Sequence, residues 1–112
     1  MAEDVAYAVD RQVCAYNARD LDGFLACFAE EVVIEDADGQ TRMTGRESMR
    51  EHYGQVLADF PDIKYEIVTR IRVGSYVVDE EHVTGGPSGD IRAIAIYRLD
   101  SGGHIDRVRF LH

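Results

Sequence analysis

Val77-Val78-Asp79-Glu80-Glu81-His82-Val83-Thr84-Gly85 reads as an extended strand. Side chains two apart on a strand share a face, so Val77 and Val83 point the same way. Asp79 and Glu81 fall on that face, between the valines. If the valines face an interior, two carboxylates face it as well, and acids are seldom buried without a partner. The pattern predicts a polar pocket inside a sheet. The opposite register turns Val78, Glu80 and His82 inward and also places polar groups inside. A third possibility is that this face packs against a second subunit.

The flanking chain supports a sheet. From Ile63 to Val73 the period is two, with Ile63, Tyr65, Ile67, Ile71 and Val73 on one face. Lys64, Glu66, Arg70 and Arg72 take the other face, and Gly74-Ser75 turns the chain. After Thr84, three glycines and a proline in residues 85–90 predict a flexible loop. Ile91 to Leu99 and Ile105 to Leu111 read as two further strands. Upstream the period is helical. Val5, Val9, Val13 and Tyr16, bordered by Ala8 and Gln12, predict a helix over 3–18. Asp20 is a good N-cap for a short helix from Leu21 to about Ala29. Residues 32–36 and 41–44 read as a hairpin around Asp38-Gly39. A helix follows over 46–59 and ends at Pro61. Helix, helix, hairpin, helix and a four-strand meander make an α+β domain over residues 1–112. The expected shape is a cone of three helices packed on a curved, mostly antiparallel sheet. Ligands commonly lie in such an interior.

Composition narrows the function classes. A net charge of -9 argues against nucleic acid or an anionic membrane as the main partner. No apolar run approaches the roughly 20 residues that span a bilayer. The acidic start, Met1-Ala2-Glu3-Asp4, lacks the basic segment of a signal peptide, so a cytoplasmic location is expected. Cys14 and Cys27 have no metal-ligand spacing and read as buried thiols. His82 beside acids lacks a recognised zinc spacing, so no metal and no cofactor are expected.

Several segments resemble the nuclear-transport-factor-2-like superfamily, in its branch of SnoaL-like polyketide cyclases and ketosteroid isomerases. They are Tyr16 to Phe24 with Cys27 to Glu31, Met43 to Tyr53, Ala95 to Arg98, and Gly103 to Val108. In ketosteroid isomerases the general base lies in a Glu-Asp step at the end of the first strand, which Glu35-Asp36 matches. The resemblance therefore makes Asp36 the first candidate for a catalytic acid or base. A supporting tyrosine of the third helix matches Tyr53. The two donors to the enolate oxygen do not match, because they fall on Gln12 and Ala95. A subgroup of SnoaL-like proteins carries a similar Val-x-Asp-x-Glu-x-Val-x-Gly strand, which implies that Asp79 and Glu81 belong to a pocket. The resemblance also implies a homodimer through the sheet. A face alternating Arg70, Arg72, Ile94, Ile96, Arg107 and Arg109 suits one.

Asp36, Asp79 and Glu81 are thus the candidate catalytic residues. Carboxylates close together and out of water raise each other's pKa, which makes an acid/base pair at neutral pH. Arg92 is the nearest cation that could instead neutralise them. Gln12 could donate its amide to a ligand carbonyl or be a satisfied core residue. Tyr16, Phe28, Tyr53, Val108 and Phe110 are the candidate walls for a small, largely apolar ligand. Three readings follow: a cofactor-free isomerase or lyase acting on a carbonyl compound, a non-catalytic small-ligand binder, and a dimeric scaffold module with a filled interior.

Overall fold

The computed structural model describes residues 7–112. In chain order the elements are α1 (Tyr7–Asn17), α2 (Leu21–Leu25), β1 (Phe28–Glu35), β2 (Thr41–Thr44) and α3 (Gly45–Asp59). Four strands follow: β3 (Lys64–Val73), β4 (Tyr76–Gly86), β5 (Gly89–Leu99) and β6 (Ile105–Leu111). The start of the first expected helix, with Val5, lies outside the described residues. Val9, Gln12 and Tyr16 form the buried stripe of α1. Asp20 caps α2 through its Oδ1, which accepts the Gly23 N–H at 2.9 Å. That helix ends at Leu25, short of the expected Ala29. The chain turns extended early, and the Cys27 carbonyl accepts the Ile105 N–H at 2.9 Å as β1 begins.

The strands form one curved, mixed sheet in the order β2-β1-β6-β5-β4-β3. All neighbours are antiparallel except β1 and β6, which run parallel. The meander β3 to β6 is as expected. α1 packs on β3, and α3 packs on β1 and β2. Val9, Leu25, Val32, Met49, Val77, Ile105 and Val108 are fully enclosed between these layers.

Three sequence expectations are corrected here. Residues 85–90 are not a loose loop. β4 and β5 run on to Gly86 and Gly89, which pair across a two-residue turn of Pro87 and Ser88. Gly85 has φ +73°, and a Cβ there would lie 2.5 Å from the Asp62 carbonyl oxygen, so only glycine lets the two segments approach. The second correction concerns β3. Its pairing with β4 shifts between Ile67 and Thr69, and this bulge at Val68 reverses the facing of every later residue. Tyr65 and Ile67 face inward as expected. Beyond the bulge, Ile71 and Val73 face out, 56% and 68% exposed, and Arg70 turns in. Third, Cys14 is exposed rather than buried, whereas Cys27 is buried; both are free thiols. Among the described residues, no helix is long and apolar enough to cross a membrane.

Candidate functional site

Val77, Asp79, Glu81 and Val83 all face the interior, and Asp79 and Glu81 are both 0% exposed. In the register of the sheet, Asp79 lies between Arg70 on β3 and Ala95 on β5, while Glu81 lies between Ile67 and Ala93. The two acids therefore meet different neighbours. Arg70 grips Asp79 with two hydrogen bonds, Nε to Oδ1 at 2.6 Å and Nη2 to Oδ2 at 2.8 Å. Its Nη1 also bonds Asp10 of α1. This bidentate geometry neutralises a buried carboxylate. Arg92, the cation expected to do so, instead pairs with Glu80 on the outer face at 2.5 Å.

Among the described residues Glu81 forms no salt bridge, although the Arg70 charge is near enough to favour its ionised form. Its Oε2 accepts the Tyr97 hydroxyl at 2.8 Å, and Tyr97 Oη in turn accepts from Gln12 Nε2 at 3.2 Å. Its Oε1 is buried without a hydrogen-bond partner. Burial pushes the Glu81 carboxyl up to about 7. The Tyr97 hydrogen bond opposes this rise, and the Asp79 charge adds to it. The Tyr16 hydroxyl is likewise buried without a hydrogen-bond partner. Burial raises its pKa to about 12, so it is a proton donor at neutral pH. The Tyr65 hydroxyl is near enough to temper that rise without reaching hydrogen-bond geometry.

Glu81 opens onto a cavity of about 300 Å³. Ala93, paired beside it, lines the same cavity and contributes only a methyl group. Tyr16, Tyr53, Tyr65 and Phe110 supply walls. The mouth lies by the Pro87-Ser88 turn, with His52 and His112 at its rim. Asn17 fixes Tyr65 by completing its backbone pairing, accepting its N–H at 2.9 Å and donating to its carbonyl at 2.8 Å. Behind the tyrosines only about 20 Å³ remains, lined by Gln12, Phe28, Tyr97 and Val108 among others. Gln12, Phe28 and Val108 are thus behind the main cavity, and the Gln12 amide serves Tyr97. A larger depression of about 530 Å³ lies on the opposite sheet face, by Ile71, Val78 and Ile94. Its one acid, Glu80, is already paired with Arg92.

The expected trio of acids does not assemble. Asp36 lies in the β1–β2 turn, where its Oδ1 accepts the N–H groups of Asp38 and Gln40 at 3.0 Å each. Its Oδ2 meets Arg42 at 2.7 Å. The Gln40 backbone hydrogen bond, first among these contacts, holds the Asp36 carboxyl below its usual range. Asp36 lines none of the cavities above. Its neighbour Glu35 faces the outer side of the sheet, held by Arg107 at 2.6 Å and Arg109 at 3.3 Å. Two contributors, Tyr97 and Arg70, were absent from the candidate list. Period two does place Tyr97 inward with Ala93 and Ala95. The bulge hid Arg70. Among the described residues, no three His, Cys, Asp or Glu side chains gather to hold a metal ion.

A model of the SnoaL-like domain matches residues 9–108. The chain belongs to the SnoaL-like domain family. Solved structures share the fold of this SnoaL-like protein. An uncharacterised cystatin-fold protein from Novosphingobium aromaticivorans is 25% identical with a TM-score of 0.90, covering 99% of this chain and 100% of that one. A computationally designed 17-OHP binder is 19% identical with a TM-score of 0.85, covering 99% and 92%. A putative ketosteroid isomerase from Kribbella flavida is 16% identical with a TM-score of 0.79, covering 96% and 76%.

Proposed function

We propose that this SnoaL-like protein is a cofactor-free isomerase or lyase acting on a small, largely apolar carbonyl compound. The observation that carries this reading is a fully buried carboxylate with an unpartnered Oε1, on a residue that lines a cavity walled by aromatic rings. Ionised Glu81 takes a proton from the carbon next to the carbonyl. The electron pair moves onto the carbonyl oxygen, which accepts a hydrogen bond from the Tyr16 hydroxyl. Glu81 then returns the proton to another carbon, completing an isomerisation, or to a departing hydroxyl, completing an elimination. Tyr97 and Gln12 hold Glu81 in one orientation. Asp79 acts through its pairing with Arg70, which keeps a second free anion away from Glu81. Asp36 is left to stabilise its turn. The helices and sheet are read as a cone around this cavity, one domain per chain. The outer face, with Ile71, Val73, Tyr76 and Ile94 exposed, is read as the surface joining two copies.

The test is proton exchange of 2-tetralone in D2O, followed by NMR. The wild-type protein accelerates exchange above the buffer rate, and Glu81→Gln loses that acceleration by about 100-fold or more. Unchanged exchange in Glu81→Gln removes Glu81 as the base. A second reading, a non-catalytic binder of a small apolar ligand, draws on the aromatic lining and on the designed 17-OHP binder of the same fold. It predicts thermal stabilisation by a ligand with no exchange.

A further inference from the structure

The cavity above Glu81 also sets a size. Its volume of about 300 Å³ lies at the lower end of small-molecule sites, which run from roughly 300 to 1,000 Å³. An apolar cavity of about 150 Å³ takes a single benzene ring. Twice that volume takes two fused rings.

The cavity has little room to deepen. Tyr16 packs edge-on against Tyr65 at 4.8 Å and against Tyr53 at 5.9 Å, measured between ring centroids. Tyr53 also packs edge-on against Phe24 at 5.2 Å. This wall is tied down at both sides: Tyr16 belongs to the buried stripe of α1, and Asn17 pins the Tyr65 backbone. The gap of about 20 Å³ behind it holds no more than a water molecule. Glu81 and Tyr16 both line this cavity, and the Glu81 Oε1 and the Tyr16 hydroxyl are buried without a hydrogen-bond partner among the described residues. They serve one polar end of a ligand whose remaining surface meets apolar atoms.

We infer that the occupant is a cyclic carbonyl compound of one or two rings, or its enol, with its polar end at Glu81 and Tyr16, and that a four-ring skeleton does not fit. The carbonyl chemistry rests on the proposed function above. The size limit rests on the cavity and its wall alone.

Calorimetric titration with 5,6,7,8-tetrahydro-2-naphthol and with estradiol tests the limit. The first has two rings and one hydroxyl, as a stand-in for a two-ring enol. Estradiol carries those same two rings and two more. The two-ring phenol binds, and estradiol binds about tenfold more weakly or worse, since overfilling a packed site is unfavourable. Ala93→Leu fills the space beside Glu81 and weakens the two-ring phenol by about tenfold. Estradiol binding as tightly as the phenol overturns the size limit and leaves the Glu81 chemistry standing. Binding of neither compound, or binding that Ala93→Leu leaves unchanged, overturns the inference. Failure of proton exchange with the phenol still bound removes the chemistry and leaves the size class.

Discussion

Asp79 and Glu81 share one strand face, yet the fold treats them oppositely. Asp79 lies opposite Arg70 and gains a bidentate partner, while Glu81 lies opposite Ile67 and gains only a hydroxyl. That difference is measurable. The Glu81 carboxyl rises from 4.5 to about 7 on burial, so the folded protein holds this proton more tightly than the unfolded chain. Its contribution to stability is fully present below about pH 4.5 and is lost as the pH rises through about 7. In urea denaturation, the stability of wild type relative to Glu81→Gln falls by about 3 kcal/mol between pH 4.5 and 7.5. A difference that stays flat over that window sinks the assignment. For Asp79 the expected weakness is a stranded charge. Arg70→Met destabilises by about 3–5 kcal/mol, and adding Asp79→Leu restores most of the loss. Guanidinium denaturation of the single and double variants decides it. The flanking valines only favoured the inward orientation of both acids, because the opposite register also turns polar groups inward. The partners of the acids were not legible, because a partner depends on register across strands rather than on the strand itself. The Asp36 reading came from position alone, and the hairpin turn uses both oxygens of that carboxyl.

At the scale of elements, period two was sufficient to place β4, β5 and the first half of β3. It failed after Val68 because Ile67 and Ile71 keep the same parity straight through the bulge, and no glycine marks the extra residue. The glycines at 85, 86 and 89 misled in the opposite direction. They read as a break, but they sustain a tight hairpin and a close approach to Asp62. Two substitutions separate the effects of conformation and contact. Gly74 has φ +58° with nothing within 4 Å of an added Cβ, so Gly74→Ala costs about 1 kcal/mol from backbone strain. Gly85→Ala adds a collision with the Asp62 carbonyl and costs about 2 kcal/mol or more. Equal losses in thermal melts would show that the approach to Asp62 does not matter. The change at Gly85 also shifts the strand that carries Glu81.

For the whole molecule, the α+β class was legible from the switch between helical and strand periods. The hairpin and the meander were legible too, but the parallel pairing of β1 with β6 that joins them had no sequence signature. The outer face of the sheet carries Val68, Ile71, Val73, Tyr76 and Ile94 exposed. If it joins two copies, sedimentation equilibrium returns twice the chain mass of 12.6 kDa. Ile71→Lys with Ile94→Lys then returns a monomer with an unchanged circular dichroism spectrum. Because each copy carries a net charge of -9, added salt should strengthen the pairing. The strand order has a further consequence, for how the protein is made. β6 is synthesised after every other strand, yet it lies between β1 and β5 and is what joins the two halves of the sheet. Until it leaves the ribosome, the β1–β2 hairpin has no strand on its β6 side and only α3 to pack against. Nascent chains stalled before Ile105 emerges should stay open to protease across that hairpin, and those stalled beyond Leu111 should gain resistance in a single step.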